Sequence, residues 1–133
     1  MTFPIELKYI IETEKELGIE FPINFKTKMI QENGGEFATE EDEWQLFPFF
    51  DKSDNKRISR TCNHIFLETK NAKEWTNFPV DGIAIASNGC GDNLILLPFE
   101  NNPKQLQETI YLWLHETGEI IEIAESIDEL TED

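Results

Sequence analysis

The sequence predicts an α+β fold, a mainly antiparallel sheet built on two C-terminal hairpins with helices packed around it. Residues 83–98 contain two short apolar runs on either side of a small polar loop with two glycines. Strands that are apolar on both faces belong in the middle of a covered sheet. Two further runs, 109–114 and 119–123, flank a second glycine turn, which is typical of a hairpin. The N-terminal third instead has apolar residues at helical spacing.

Length and composition predict one folded domain over residues 1–133. A chain of 133 residues can bury about two thirds of the surface that its unfolded form exposes. Apolar and aromatic residues make up 39% and ten residues are Phe, which is too apolar for a disordered chain. We find no internal repeat or linker that would indicate a second domain.

Two helices are predicted in the N-terminal third. The first covers residues 4–17, with Pro4 in its first turn and Gly18 just past its end. The second starts at Pro22 and stops before Gly34. The apolar stripe of the first helix, which Glu14 interrupts, consists of Phe3, Leu7, Ile10 and Leu17.

The middle of the chain predicts one strand and one helix. Residues 44–47 alternate enough for a strand that Pro48 ends, and we expect Phe49 and Phe50 to reach into the core. A helix is predicted from about residue 58 to 75, with a break near Asn63 left open. Trp75 and Trp113 are predicted to be core residues.

The chain closes with the second hairpin and a short helix. Gly118 sits where the hairpin turn needs a positive φ. Ser126 and Glu129 have the spacing of a capping box, which predicts a short final helix.

The formal net charge of −16, with a pI near 4.4, excludes some partners. A phosphate backbone and an anionic membrane surface would both be repelled. Two interpretations stay open: the charge serves solubility, or it serves a positively charged protein partner. Residues 52–73 hold six of the eleven basic residues, and residues 105–133 hold nine acids and no Lys or Arg. These segments could pair within the molecule.

Localisation is predicted to be cytoplasmic. The first residues lack the basic and apolar regions of a secretion signal, and no apolar run has the length of a membrane span. The two cysteines, Cys62 and Cys90, form no disulfide framework, which fits a reducing compartment.

Five motifs in order resemble the SMI1/KNR4, or SUKH, superfamily over nearly the whole chain. They are Leu17-Gly18-x-x-Phe21-Pro22, Asn33-Gly34-Gly35, Ala86-Ser87-Asn88-Gly89-x-Gly91-Asp92, Ile110-Tyr111-x-Trp113-x-His115-Glu116-x-Gly118 and Ile123-Ala124-x-Ser126-x-x-Glu129-Leu130. The resemblance implies an antiparallel sheet with helices around it. It further implies a binding protein: many bacterial members are immunity proteins that neutralise a toxin, often a nuclease or a deaminase. Other members, notably fungal ones, are regulatory modules, so an endogenous protein partner is the alternative.

Catalytic, metal and cofactor sites are weakly supported. Cys90 and His115 are the only plausible nucleophile and base, but the neighbours of Cys90 supply Asp92 and no cation to favour the thiolate. Cys62-x-His64 lacks the second ligand pair of a zinc site. No Lys or Arg follows Gly89-x-Gly91 as in a phosphate loop. We therefore expect no enzyme activity, no metal and no cofactor.

The candidate partner-binding residues combine an acidic segment with one hairpin carboxylate. Residues 36–43 hold five acids in eight positions, which predicts a loop or the exposed start of a strand. Such a cluster is often only a solvated loop, Asp92 suits an Asx-turn that caps its own loop, and Trp44 is readily buried. The alternative is that they contact the basic cleft of a toxin. The candidate residues are Glu40, Glu41, Asp42, Glu43, Trp44 and Asp92.

Overall fold

The computed structural model describes residues 3–39 and 42–131, and it confirms the α+β fold. In chain order the elements are α1 (Leu7–Leu17), α2 (Ile23–Gln31), β1 (Gly35–Ala38), β2 (Glu43–Leu46), α3 (Asn55–Arg60), α4 (Ile65–Ala72), β3 (Ile83–Ser87), β4 (Asn93–Leu96), β5 (Pro98–Phe99), β6 (Asn102–Leu106), β7 (Ile110–Trp113), β8 (Ile120–Ala124) and α5 (Ile127–Thr131). A sheet of six strands carries the fold, and β5 with β6 forms a separate two-stranded sheet.

The large sheet is antiparallel throughout, in the order β1-β2-β3-β4-β7-β8. The predicted central hairpin, β3 with β4, is confirmed in the middle, and Leu94, Ile95 and Leu96 are fully buried. Because alternate strands run in opposite directions, the β1–β2, β3–β4 and β7–β8 turns all lie at the same end of the sheet. This topology places three hairpin tips side by side. Their described residues are Thr39 and Asp42 in the first tip, 88–92 in the second and 114–119 in the third.

The N-terminal corner is held by a buried carboxylate. Helix α1 begins at Leu7, later than predicted, and Leu7 is 48% exposed although it was assigned to the apolar stripe. Glu14, which seemed to interrupt that stripe, is buried instead. Its Oε2 accepts a hydrogen bond from the Phe21 backbone N–H at 2.8 Å and pairs with Lys26 Nζ at 3.2 Å. These partners offset the cost of burying the charge.

The single helix predicted over residues 58–75 is two helices, and the break left open near Asn63 is confirmed. Each helix has its own N-cap. The Asp54 carboxylate accepts from the Arg57 N–H at 2.8 Å, and His64 Nδ1 accepts from the Leu67 N–H at 3.3 Å. Two capping side chains ten residues apart in this stretch therefore start two short helices.

The prediction that Trp75 lies in the core is wrong, since Trp75 is 52% exposed. Helix α4 ends at Ala72, so Trp75 lies beyond the face that packs on the sheet. Trp113 occupies the core position instead and is fully buried. Phe78 packs against it, with the two ring centroids 5.0 Å apart. The prediction that Trp113 is buried is confirmed.

Part of the acidic segment lies in β1, a strand that was not predicted, while Glu43 is the exposed first residue of β2 and agrees with the interpretation as an exposed strand start. In β2, Trp44 and Leu46 face the core while Glu43 and Gln45 are exposed, which is the alternation of a strand with one buried and one exposed face. Phe49 is fully buried as predicted. Phe50 is only partly buried and stacks on His64 with ring centroids 4.6 Å apart.

Strands β5 and β6 were not predicted. Residues 102–104 are all exposed, so they give no alternating apolar signal. Backbone hydrogen bonds fix β6 instead: the Glu20 N–H donates to Lys104 O at 2.7 Å, and the Leu106 N–H donates to Glu20 O at 2.9 Å.

The C-terminal hairpin is confirmed, with Gly118 at φ 79°. The final helix is also confirmed, although its capping differs from the predicted box. The Glu129 carboxylate accepts from the backbone N–H of Glu125 at 2.9 Å, one residue earlier than Ser126. Two ion pairs of the basic middle segment, Lys52 with Glu12 and Arg57 with Asp51, have partners outside the acidic end.

Asn33 gives a first testable prediction, because it bonds both backbone groups of buried Phe49. Its Nδ2 donates to Phe49 O at 2.9 Å and its Oδ1 accepts from Phe49 N at 2.8 Å. Asn33→Ala should leave both groups unpaired and lower the free energy of unfolding by about 2–4 kcal/mol in urea denaturation. The matched control Asn71→Ala, at an exposed helical position, should change it by less than about 0.5 kcal/mol. Equal effects would contradict this role.

His64 gives a second prediction. Burial lowers its pKa, Glu16 raises it and Lys52 lowers it, and the net direction is downward. The unfolded chain therefore binds a proton at His64 at higher pH than the folded one, so stability is lost as pH falls below about 6.5. His64→Asn keeps a capping oxygen and removes the titration. The stability of the wild type relative to this variant should fall between about pH 7 and pH 5; a constant difference would contradict the prediction.

Candidate partner-binding site

The structure brings the two predicted parts of the site into contact through one amide. Asn88 Nδ2 lies 3.4 Å from Asp42 Oδ2 and 3.2 Å from Asp92 Oδ2. Asp42 belongs to the acidic segment and Asp92 to the central hairpin, 50 residues later in the sequence. We call Thr39, Asp42, Glu43, residues 87–92, residues 114–119 and Trp75 the tip surface.

The β3–β4 loop is shaped by its glycines and its own side chains. Gly89 and Gly91 have φ of 82° and 105°, which other residues rarely adopt. The Cys90 N–H donates to Asn88 Oδ1 at 2.9 Å, which closes an Asx-turn. A Cβ on Gly91 would lie 3.0 Å from His115 Nδ1, so glycine allows the two tips to touch.

Asp92 binds the neighbouring hairpin. Its Oδ1 lies 2.6 Å from His115 Nδ1 and accepts from the His115 backbone N–H at 3.1 Å. Partial burial raises the pKa of Asp92, but the hydrogen bonds from His115 and Asn88 outweigh it and hold the pKa below its usual range. An ionised Asp92 therefore fixes the β3–β4 tip against the β7–β8 tip.

Trp75 adds an exposed aromatic side chain that sequence reasoning missed. The centroid of its ring lies 5.6 Å from that of His115 and 6.4 Å from that of Trp113, and both contacts are edge to face. Trp113 is fixed in turn, since its Nε1 donates to Asn77 O at 3.1 Å. The residues next to Trp75 in the sequence, from Lys73 to Asn77, are all polar, and that context was a signal for exposure.

The charge of the tip surface is negative. Glu43, Glu116 and Glu119 are exposed, and the three tip segments contain no Lys or Arg. Ion pairs that lysine makes with carboxylates, such as Lys8 with Glu6 and Lys52 with Glu12, lie on the helical part of the molecule. The carboxylates here therefore create a field that these pairs do not neutralise.

The remaining predicted site residues differ in what the structure shows. Glu40 and Glu41 lie outside the described residues. Trp44 is buried at 2% exposure, and its Nε1 donates to Thr39 Oγ1 at 3.2 Å. Trp44 therefore holds the base of the β1–β2 tip by a contact from the core.

The cysteine and histidine candidates are not joined into a reactive group. Cys90 is exposed, but in the described residues no hydrogen bond connects its thiol with His115, whose Nδ1 bonds Asp92. His64 uses Nδ1 to cap α4. Among residues 3–39 and 42–131, no three side chains of the metal-ligating types gather. No helix in that part of the chain has the length and apolar character that crossing a bilayer requires.

Comparison with known families decides the relationship. The model of the SMI1 / KNR4 family (SUKH-1) matches residues 4–133. The chain belongs to the SMI1/KNR4 family. Neither the curated proteins nor the solved structures contain a match. The resemblance drawn from five motifs is thus confirmed, and the SUKH family is one of non-catalytic, immunity-like protein-binding domains.

Two of those five motifs meet on the tip surface of this SMI1/KNR4 domain. One supplies Asn88, Gly91 and Asp92, and the other supplies His115 and Gly118. A Cβ on Gly118 would lie 2.9 Å from the Cβ of Asn77. Gly91 therefore allows the β3–β4 and β7–β8 tips to touch, and Gly118 allows the β7–β8 tip to approach the segment that follows α4.

A third prediction follows from the Asp92–His115 pair. In the wild type, the ¹³Cγ shift of Asp92 should titrate with a midpoint below about 3.9, because His115 and Asn88 stabilise the carboxylate. His115→Ala should raise that midpoint. Partial burial raises the pKa of Asp92, and the variant lacks the side-chain hydrogen bond that counteracts this effect. Glu116→Gln, next to His115 but outside this pair, is the matched control. A midpoint that is the same in wild type and His115→Ala would contradict the assignment.

Proposed function

We propose that this SMI1/KNR4 domain is an immunity protein that neutralises a bacterial toxin by covering the toxin's basic cleft with its tip surface. It performs no chemistry of its own in this role. The observation that carries the proposal is the joining of Asp42 and Asp92 through Asn88, which makes one acidic surface from two hairpins. Exposed Glu43, Glu116 and Glu119 extend it.

The charge pattern suits a toxin that acts on nucleic acid. A nuclease or deaminase holds a phosphate backbone in a positively charged cleft. Carboxylates held on neighbouring hairpin tips present negative charge to the same cleft, as phosphates do. Opposite fields speed diffusional encounter, and desolvated charge pairs in the centre of the interface slow dissociation.

A preorganised surface is favourable for such binding. The two glycines of the β3–β4 loop and the Asp92–His115 pair already order the β3–β4 and β7–β8 tips before a partner arrives. Little side-chain entropy is then lost on association. Because nucleic acid is the target of these toxins, the proposal places the protein in the cytoplasm.

Co-expression tests the proposal directly. The toxin domain encoded beside this chain should arrest growth when expressed alone, and co-expression of the immunity protein should restore growth. The purified pair should form a complex whose association slows as salt is added. If the chain neither binds nor protects against any neighbouring toxin, and instead captures a partner in cells without a toxin locus, it is a regulatory or scaffolding module and the immunity proposal is wrong.

A fourth prediction locates the interface. Asp42→Asn with Glu43→Gln should slow association with the toxin domain by roughly 3- to 10-fold at low salt, because steering depends on the field of the tip surface. Stopped-flow fluorescence measures this rate.

The matched control removes the same charge elsewhere. Glu100→Gln with Glu108→Gln changes two exposed acids beside the two-stranded sheet, away from the tips. An equal loss of rate in both double variants would show that only net charge matters and would contradict the assigned face.

A further inference from the structure

We infer that Trp75 and the carboxylates beside it form a receptor for one arginine side chain of the partner. This inference deepens the proposed function by naming the chemistry of the central contact. Its test uses no toxin, so failure of the arginine receptor can be distinguished from failure of the proposed immunity function.

Trp75 is fixed in place yet keeps half of its surface in solvent. Edge-to-face contacts with Trp113 and His115 hold the indole, and the surrounding turn is bonded, since the Phe78 N–H donates to Trp75 O at 3.2 Å. The exposed fraction is 52%. A rigid, half-exposed Trp has the features of an interface anchor, because covering it removes a large apolar area from water at little entropic cost.

The groups around Trp75 select a cation. His115 links the indole to Asp92, and Asn88 links Asp92 to Asp42. Glu74 and Glu116, adjacent in sequence to Trp75 and His115, are exposed. An anionic side chain laid on Trp75 would be repelled by the negative field of these carboxylates, and an apolar one would gain nothing from it. A cation instead gains from both the ring face and the negative field.

Arginine fits better than lysine. A planar guanidinium can stack on an indole and still direct its N–H groups to carboxylate oxygens in the same plane, whereas an ammonium is a strongly hydrated point charge. Asp92 already accepts from His115 and Asn88, yet a carboxylate has further lone-pair sites. A second copy of this chain is disfavoured as the occupant, because two bodies of net charge −16 repel each other.

The three tryptophans make the test internally controlled. The indole N–H groups of Trp44 and Trp113 donate to Thr39 Oγ1 and Asn77 O, while Trp75 is exposed. In ¹H–¹⁵N spectra, titration with acetyl-Gly-Arg-Gly-amide should change the chemical shifts of the Trp75 indole and the His115 backbone amide. The chemical shift of the Trp44 indole should stay constant. With one stacked cation and few charge-assisted bonds, we expect a Kd on the order of 10 mM.

Matched peptides separate arginine chemistry from general effects. The lysine peptide should bind several-fold more weakly, and the citrulline peptide, which keeps the planar shape without the charge, should cause no saturable shift. Citrulline binding equal to that of arginine, or no arginine-dependent shift at Trp75 up to about 100 mM, would overturn the inference.

Variants then assign the contact. Trp75→Ala should abolish the arginine-dependent shift at His115, and Trp75→Phe should retain part of it, since Phe offers a weaker ring face. Val80→Ala changes an apolar side chain that is 83% exposed and outside the tip surface, and it should bind as the wild type does. Lys73→Gln should strengthen binding slightly, because Lys73 is the nearest cation in the sequence. If Trp75→Ala binds arginine unchanged, the receptor is not at Trp75.

Discussion

The candidate site depends on one contact, the bond between Asp92 and His115 across two hairpins. The two residues lie in different turns, and neither turn alone would fix its neighbour. Their 2.6 Å contact, with the second bond from the His115 N–H, sets the spacing of the tips. Gly91 is part of the same constraint, since a Cβ there would meet the imidazole at 3.0 Å. The close approach thus requires a glycine, a carboxylate and a histidine together.

The core explains why this contact can be rigid. Strands β3 and β4 are apolar on both faces and buried in the centre of the sheet, so their connecting loop is fixed at both ends. Trp113 at the end of β7 is fully buried and holds the adjacent turn through Asn77. The β3–β4 tip is therefore a short extension of two buried strands, and this favours a surface that is ordered before it binds.

The fold was largely predictable because its signals are local. Apolar runs around glycine loops predicted the two hairpins, Gly18 marked the end of the first helix and Pro22 marked the start of the second. Predictions failed where a distant partner decides the outcome. Glu14 is buried because Phe21 and Lys26 satisfy it, and β6 is a strand because it pairs with β5 and with the backbone of Glu20. For the site, the sequence indicated Asp42 and Asp92 separately. That Asn88 joins them, and that Trp75 stands exposed beside them, follows from the order of strands, which no local pattern encodes.

The distribution of charge, more than the net charge, distinguishes the tip surface from the rest of the molecule. Three cations, Lys56, Arg57 and Arg60, lie on the helical part of the molecule, where they surround the Phe3 ring at 4.9–5.9 Å from its centroid. The three tip segments contain no Lys or Arg. A body with evenly spread negative charge would attract a cation equally from all sides, whereas this separation orients the molecule as it approaches. Solubility requires only that net charge differ from zero, so the absence of Lys and Arg from the three tip segments supports the proposal that this end of the sheet faces a basic partner.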